Sequence, residues 1–218
     1  NIDYLIIVSS VDEPVFNNRV IDRFLVTAES SNINSIIVAN KFDLGTNSDI
    51  DACLKVYKQI GYPVIKASTI EGKGIKTLKS RLKGKRSIFW GQSGVGKSSL
   101  LNTVFPKLNL SVGEISSFNL KGKHTTVTSS MIEVEKNTFI IDTPGIREID
   151  PFGIRKEDLG HYFIEFAPFI SGCKYNTCTH NHEPQCGVEK AFDENLISAY
   201  RYESYLRLLE TIEEDILF

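Results

Sequence analysis

Between Tyr4 and Gly91 short β-rich apolar runs alternate with longer amphipathic stretches, in the order YLIIVSS, RVIDRFLVTAE, SIIVAN, IDACLKVYKQI, YPVIKAS, GIKTLKSRL and RSIFWG. A continuous apolar run suits a strand covered on both faces, and a helical stretch between two such runs suits a parallel crossover. The pattern predicts an α/β fold, a mostly parallel sheet with helices on both faces. SSLLNTVF then reads as a further helix, and TVTSSMIEVE and NTFIID as two strands joined by a tight turn at Lys136 and Asn137.

After Asp150 the text turns aromatic and polar, with turn signals, until a charged helix from about Leu196 to Ile216. A boundary near Pro151 is expected, giving domains 1–150 and 151–218, the second small and mainly helical. Tyr202, Tyr205, Leu206, Leu209 and Ile212 recur at three- and four-residue spacing, the signature of a core-facing stripe. The nearby HYFIEFAPF is read the same way, as buried packing rather than a stacking surface for RNA bases.

With 218 residues, 41% hydrophobic and 24% charged, the chain can bury one sizeable core and carry a small appended module. No apolar run approaches the roughly 20 residues needed to span a bilayer, and NIDYLIIVSS has neither the basic region nor the cleavage site of a signal peptide. The expected setting is cytoplasmic, or an organelle stroma or matrix had a transit peptide been removed. A net charge of −2 argues against coating nucleic acid by bulk charge. The basic runs KGKR (83–86) and KGKH (121–124) read as solvated loop charge.

GQSGVGKS satisfies G-x-x-x-x-G-K-S in full, follows the strand SIFW and opens a helix. Its residues, Gly91, Gln92, Ser93, Gly94, Val95, Gly96, Lys97, Ser98 and the following Ser99, are the expected phosphate contacts. The glycines allow backbone N–H groups to converge on one anion at a helix N-terminus. Lys97 would reach the β- and γ-phosphates and Ser98 would ligate Mg²⁺.

The base is read elsewhere. In NKFD, residues Asn40, Lys41, Phe42 and Asp43, the Asp43 carboxylate can accept from both N1–H and the exocyclic amine of guanine. Adenine would leave that carboxylate unpaired. Asn40 would brace the loop and the Lys41 stem would pack on the base. KAST (66–69) ends the next strand, where Ser68 is the candidate against guanine O6, with a solvated strand end as the alternative.

IIDTPG supplies Asp142, expected to hold Mg²⁺ through water, and Gly145, whose N–H would meet the γ-phosphate. In KHTTV either Thr125 or Thr126 would close on the metal when the γ-phosphate is present. Where Ras-like enzymes carry a water-orienting glutamine, this chain has Ile146, so intrinsic hydrolysis should be slow. His124 is the nearby titratable candidate for catalysis, with a loop or RNA-facing role as its alternative.

Three cysteines crowd together as Cys173, Cys178 and Cys186, with His180 and His182 beside them. Three thiolates and one imidazole suit a closed, tetrahedral, structural Zn²⁺ site. Cys53, on an apolar helix, reads as a small core residue.

The motifs run guanine loop, small-residue loop, phosphate loop, switch threonine, D-x-x-G. This is a cyclic rotation of the usual list, which a fold with neighbouring termini tolerates. The rotated order, together with VDEPVFNNRVIDRFLVTAE, NKFDL, GQSGVGKSSLLN, GKHTTV, IDTPGIRE and CKYNTCTHNHEPQCGV, closely resembles the circularly permuted GTPases of the RsgA (YjeQ/YloQ) family. The resemblance implies GTP hydrolysis stimulated by the small ribosomal subunit during its maturation, contact with its rRNA, and a zinc-binding C-terminal domain in which His180 completes the ligand set. It also implies an N-terminal OB-fold domain, which these residues do not contain. A monomer without membrane attachment is expected. The competing expectations are a nucleotide-gated ribosome-binding module with negligible turnover and a permuted GTPase acting on the large subunit.

Overall fold

The computed structural model describes residues 2–110, 130–142 and 153–214. Contacts group the chain into two compact units, Asn1–Asn17 with Ile33–Ile149, and Asn18–Asn32 with Asp150–Phe218.

The first unit is built on one six-stranded sheet. Its strands are β1 (Tyr4–Ser10), β2 (Asn34–Asn40), β3 (Val64–Lys66), β4 (Arg86–Trp90), β5 (Ser130–Glu135) and β6 (Thr138–Asp142), in the order β3-β2-β1-β4-β6-β5. Every neighbouring pair is parallel except β5 with β6. That antiparallel pair is joined at Lys136 and Asn137, as expected. Asn137 takes the left-handed conformation (φ 58°) that such turns require, and its N–H donates to Glu133 Oε1 at 3.0 Å.

Helix α2 (Ser48–Gln59) starts at Asn47, whose side chain accepts the Ile50 N–H at 2.9 Å. Helices α3 (Ile75–Leu82) and α4 (Lys97–Val104) follow β3 and β4. Alternation along the strands divides the core. Ile6, Val8, Ile36 and Val38 meet Leu78 and Leu82 of α3 and Leu100 and Leu101 of α4. Ala39 points the other way and meets Leu54 of α2. Helices therefore cover both faces, and Cys53 is a buried core residue of α2.

The strand order explains how a rotated sequence makes one pocket. The chain walks outward through β1, β2 and β3, then returns to place β4 on the other side of β1. Where strand order reverses, the loops leaving the carboxyl ends of the strands open a crevice, the habitual ligand site of such sheets. The phosphate loop leaves β4 and the guanine-reading loop leaves β2.

The second unit is helical: α1 (Asn18–Ser30), α5 (Lys156–Leu159), α6 (Ala167–Ile170), α7 (Gly187–Asp193) and α8 (Ala199–Glu214). The predicted stripe is its core. Tyr202, Tyr205, Leu209 and Ile212 are buried and Leu206 packs beside them. Phe163 and Phe166 are fully buried against Tyr205, with ring centroids 5.2 and 5.0 Å away.

Chain position assigns residues 18–32 to the first domain, whereas their contacts group them with the C-terminal segment. The reason is a buried ionic knot. Arg201 of α8, 1% exposed, donates through Nη1 to Asp22 of α1 at 2.5 Å and through Nε to Glu165 at 2.5 Å. Its guanidinium also lies 4.3 Å from the centre of the Phe163 ring. Removing ions from water costs several kcal/mol each, and only a tightly bonded arrangement such as this offsets it.

Candidate functional site

Glycines of the phosphate loop are demanded by what surrounds them. A Cβ on Gly91 would stand 2.2 Å from the Val8 carbonyl of β1, and one on Gly96 would stand 2.6 Å from Asn40 Nδ2. Gly96 also has φ 91°, a conformation costly for side chains with a Cβ. The loop is thus pressed against β1 on one side and against the guanine-reading loop on the other. Asn40, 1% exposed, donates from Nδ2 to the Val95 carbonyl at 2.8 Å.

Residues 92–94 are exposed and Val95 is buried, so the loop presents its tip while its root is fixed. Lys97 opens α4, and its ammonium donates to the carbonyls of Gly91 at 2.5 Å and Gln92 at 2.9 Å. Burial lowers its pKa from the ordinary lysine value. An anion at this helix N-terminus would meet both the ammonium and the unsatisfied N–H groups of the first turn. Ser98 is buried in that turn, and Ser99 follows it.

The guanine-reading loop is equally fixed. Lys41 adopts φ 58°, and the 3₁₀ turn Phe42–Leu44 is closed by Leu44 N–H to the Lys41 carbonyl at 3.0 Å. Phe42 packs against Val11, Ala39 and Leu54, with the ammonium groups of Lys66 and Lys73 4.7 and 4.5 Å from its ring centre. Its role is to anchor the loop. Asp43 is half-buried beside it. The Phe42 N–H donates to the Ala67 carbonyl at 2.9 Å, so the NKFD and KAST loops are bonded to each other. Ser68 is fully buried, its Oγ accepting the Glu71 N–H at 3.1 Å and its own N–H reaching the Lys73 carbonyl at 3.0 Å. It holds the turn of its own loop.

Asn40 Oδ1 is buried without a hydrogen-bond partner among the described residues. An orphaned acceptor between the base-reading and phosphate loops, with two glycines whose Cβ would collide, fits a nucleotide-dependent site. Asp142 ends β6. His124, Thr125, Thr126, Gly145 and Ile146 lie outside the described residues.

In the second unit, one ligand atom from each of Cys173, Cys178, His180 and Cys186 lies within 4.8 Å of the others, a group that can bind a metal ion. His180 Nδ1 is 3.5 Å from Cys173 Sγ and 3.4 Å from Cys186 Sγ, and those sulfurs are 3.9 Å apart. A tetrahedral ion with thiolates at about 2.3 Å and imidazole at about 2.0 Å gives edges of roughly 3.8 Å and 3.5 Å, so these atoms fit it. His182 is 92% exposed and does not join them. Gly160 makes room for the ring, since a Cβ there would stand 2.7 Å from His180 Nε2.

Burial pushes the thiols of Cys178 and Cys186 up and the imidazole of His180 down. An ion entering this site must therefore displace thiol protons. Supporting groups await the resulting charge: Gly187 N–H points at Cys173 Sγ at 3.3 Å and Glu189 N–H at Cys186 Sγ at 3.4 Å.

Sequence reasoning missed the residues that shape this loop. His180 itself takes φ 54°, a conformation that needs support in a non-glycine residue. Glu183 gathers the N–H groups of Thr179 at 2.8 Å and Asn181 at 2.7 Å, together with the Thr179 hydroxyl. Tyr202 and Tyr205 donate from their hydroxyls to the carbonyls of His180, at 2.9 Å, and Thr179. The available signal was chemical: an acid inside the ligand spacing, and two phenols on a stripe that packing alone would fill with leucine.

A sheet of this order, with the guanine-reading loop ahead of the phosphate loop in the chain, defines a circularly permuted GTPase. The model of the RsgA GTPase family matches residues 1–152. The chain belongs to that family. It is 43% identical over 217 residues to the small ribosomal subunit biogenesis GTPase RsgA 2 of Bacteroides thetaiotaomicron, spanning 98% of this chain and 70% of that protein. It is also 43% identical over 217 residues to the small ribosomal subunit biogenesis GTPase RsgA of Shewanella oneidensis, 61% of whose length is covered.

Among solved structures, YjeQ from Thermotoga maritima superposes with a TM-score of 0.81 at 35% identity, covering 97% of this chain and 72% of that one. The circularly permuted GTPase YloQ superposes at 0.78 and 30% identity, covering 99% and 69%. No helix among the described residues is long and apolar enough to cross a membrane.

Proposed function

We propose that this protein hydrolyses GTP while assisting maturation of the small ribosomal subunit, and that the subunit with its rRNA stimulates the hydrolysis. The observation that carries the reading is the Asn40 brace to Val95, which ties a guanine-specific loop to a phosphate loop within a chain whose relatives carry that activity in their names. Asp43 reads the guanine, the N–H groups of residues 91–99 and Lys97 hold the phosphates, and the loop at Ser68 closes the base edge. Ser98 would ligate Mg²⁺ and Asp142 would hold it through water, and the bound ion would supply positive charge against the phosphates. Thr125 or Thr126 and the Gly145 N–H meet the γ-phosphate, and His124 is the residue proposed to act on the attacking water. Cys173, Cys178, His180 and Cys186 hold one structural Zn²⁺. The protein works as a cytoplasmic monomer on a much larger partner.

The test is GTP turnover by this chain alone, with purified small subunits, and with large subunits as control. Selective stimulation by small subunits is expected. Equal stimulation by both, or tight GTP binding without turnover, would overturn the reading. Full stimulated turnover in a His124→Ala enzyme would remove that residue from the mechanism.

A further inference from the structure

The strap between β1 and α1, residues 11–17, is assigned no role by the motifs above. At its first end it belongs to the nucleotide site. Val11 N–H donates to the Asn40 carbonyl at 3.1 Å, so the strap begins on the residue that braces the phosphate loop. The Glu13 carbonyl accepts from the ammonium of Lys41, the side chain expected to pack on the base. Pro14 is the nearest neighbour of the phosphate-loop tip, 3.7 Å from where a Gly94 Cβ would be.

At its other end the strap becomes α1 without an intervening linker, and α1 is fixed within the second unit. Asn18, the first residue of α1, reaches Ser204 Oγ at 3.3 Å and the Tyr200 carbonyl at 3.5 Å. One helical turn later Asp22 enters the buried knot with Arg201, and one turn beyond that Val26 joins the aromatic core. This anchorage reaches the metal-bearing loop through α8, since Arg201 is followed by Tyr202, whose hydroxyl holds the His180 carbonyl. The strap is thus bonded to two nucleotide-site residues, Asn40 and Lys41, lies beside a third, Gly94, and runs directly into a helix rooted in the second unit.

We infer that the strap of residues 11–17 is a positioning element of the nucleotide site, holding Lys41 and the tip of the phosphate loop, and that through α1 it couples nucleotide occupancy to the order of the metal-bearing unit. Coupling of this kind is reciprocal: what nucleotide does to the second unit, loosening of the second unit does to nucleotide affinity by the same factor. The inference rests on the reading of this site as one for guanine nucleotide.

The experiment compares the full chain with a variant carrying a Gly-Ser-Gly-Ser insertion between Asn17 and Asn18, which leaves every side chain of both units in place. Hydrogen exchange is followed with and without GDP and Mg²⁺. In the unaltered chain GDP should slow exchange in residues 91–99 and, severalfold, in α1 and α8. In the insertion variant the response at 91–99 should persist while that of α1 and α8 disappears, with GDP affinity falling severalfold. A response of α1 and α8 that survives the insertion would overturn the inference, as would protection at 91–99 with none in α1 and α8 of the unaltered chain. Absence of protection at 91–99 would instead overturn the nucleotide reading, and the inference with it.

Discussion

The base specificity proposed for Asp43 rests on chemistry that can be inverted. A carboxylate accepts from two guanine donors; an amide offers one acceptor and one donor, matching xanthine, whose second carbonyl replaces the amine. Asp43→Asn should lower GDP affinity about a hundredfold or more while raising that for xanthosine diphosphate, measured by fluorescence titration. Glu183 offers a second residue-scale outcome. Burial alone would raise its pKa, but the hydrogen bonds from Thr179 and Asn181 outweigh burial and hold its carboxyl below the usual glutamate range. A depressed carboxylate stabilises the fold above its unfolded pKa, and that contribution fades as pH falls through the folded value. Thermal melts at saturating metal should therefore show Glu183→Gln less stable than wild type at neutral pH, with the difference shrinking on acidification. At this scale the sequence was informative where close spacing brings named side chains together, as with Cys173, Cys178, His180 and Cys186. It was silent about Glu183 and Glu13, whose roles depend on loop conformations that bring their oxygens to N–H groups and to Lys41.

Elements were legible to the degree that their periodicity is local. The strand runs and the stripe of α8 follow from alternation and three- to four-residue spacing, and both are realised. The company kept by α1 was not legible, because an amphipathic helix shows that it has an apolar face and not which core receives it. Asp22 on that helix was the overlooked sign, since a carboxylate fully buried in the fold needs a cation from elsewhere. Arg201→Met, which removes the cation that Asp22 and Glu165 share, should cost about 3–5 kcal/mol in urea unfolding of the second unit. Replacing Asp22 and Glu165 as well by apolar residues of similar size should recover most of that loss.

For the whole molecule, the two units differ in what makes them stable. The first has a covered sheet, whereas the second is a set of helices around one aromatic core and a Cys₃His loop that can bind a metal ion. Metal binding is folding energy for such a unit. Chelation should abolish the cooperative near-ultraviolet transition of residues 153–214 while GDP still binds, with affinity reduced severalfold through the strap; complete loss of GDP binding would contradict the division into two units.

The pairing of Asp22 with Arg201 spans 179 residues of sequence, and synthesis is directional. At roughly 5–20 residues per second, a ribosome needs about 10 to 35 s to deliver the arginine after the aspartate has emerged. During that interval the strands of the guanine-reading half can assemble, but the helix threaded between the first two lacks the arginine that its Asp22 meets in the finished fold. The helix that carries Arg201 is thus the one that lets α1 come to rest, and a chain released before residue 201 would betray itself to cellular proteases by an unsettled α1.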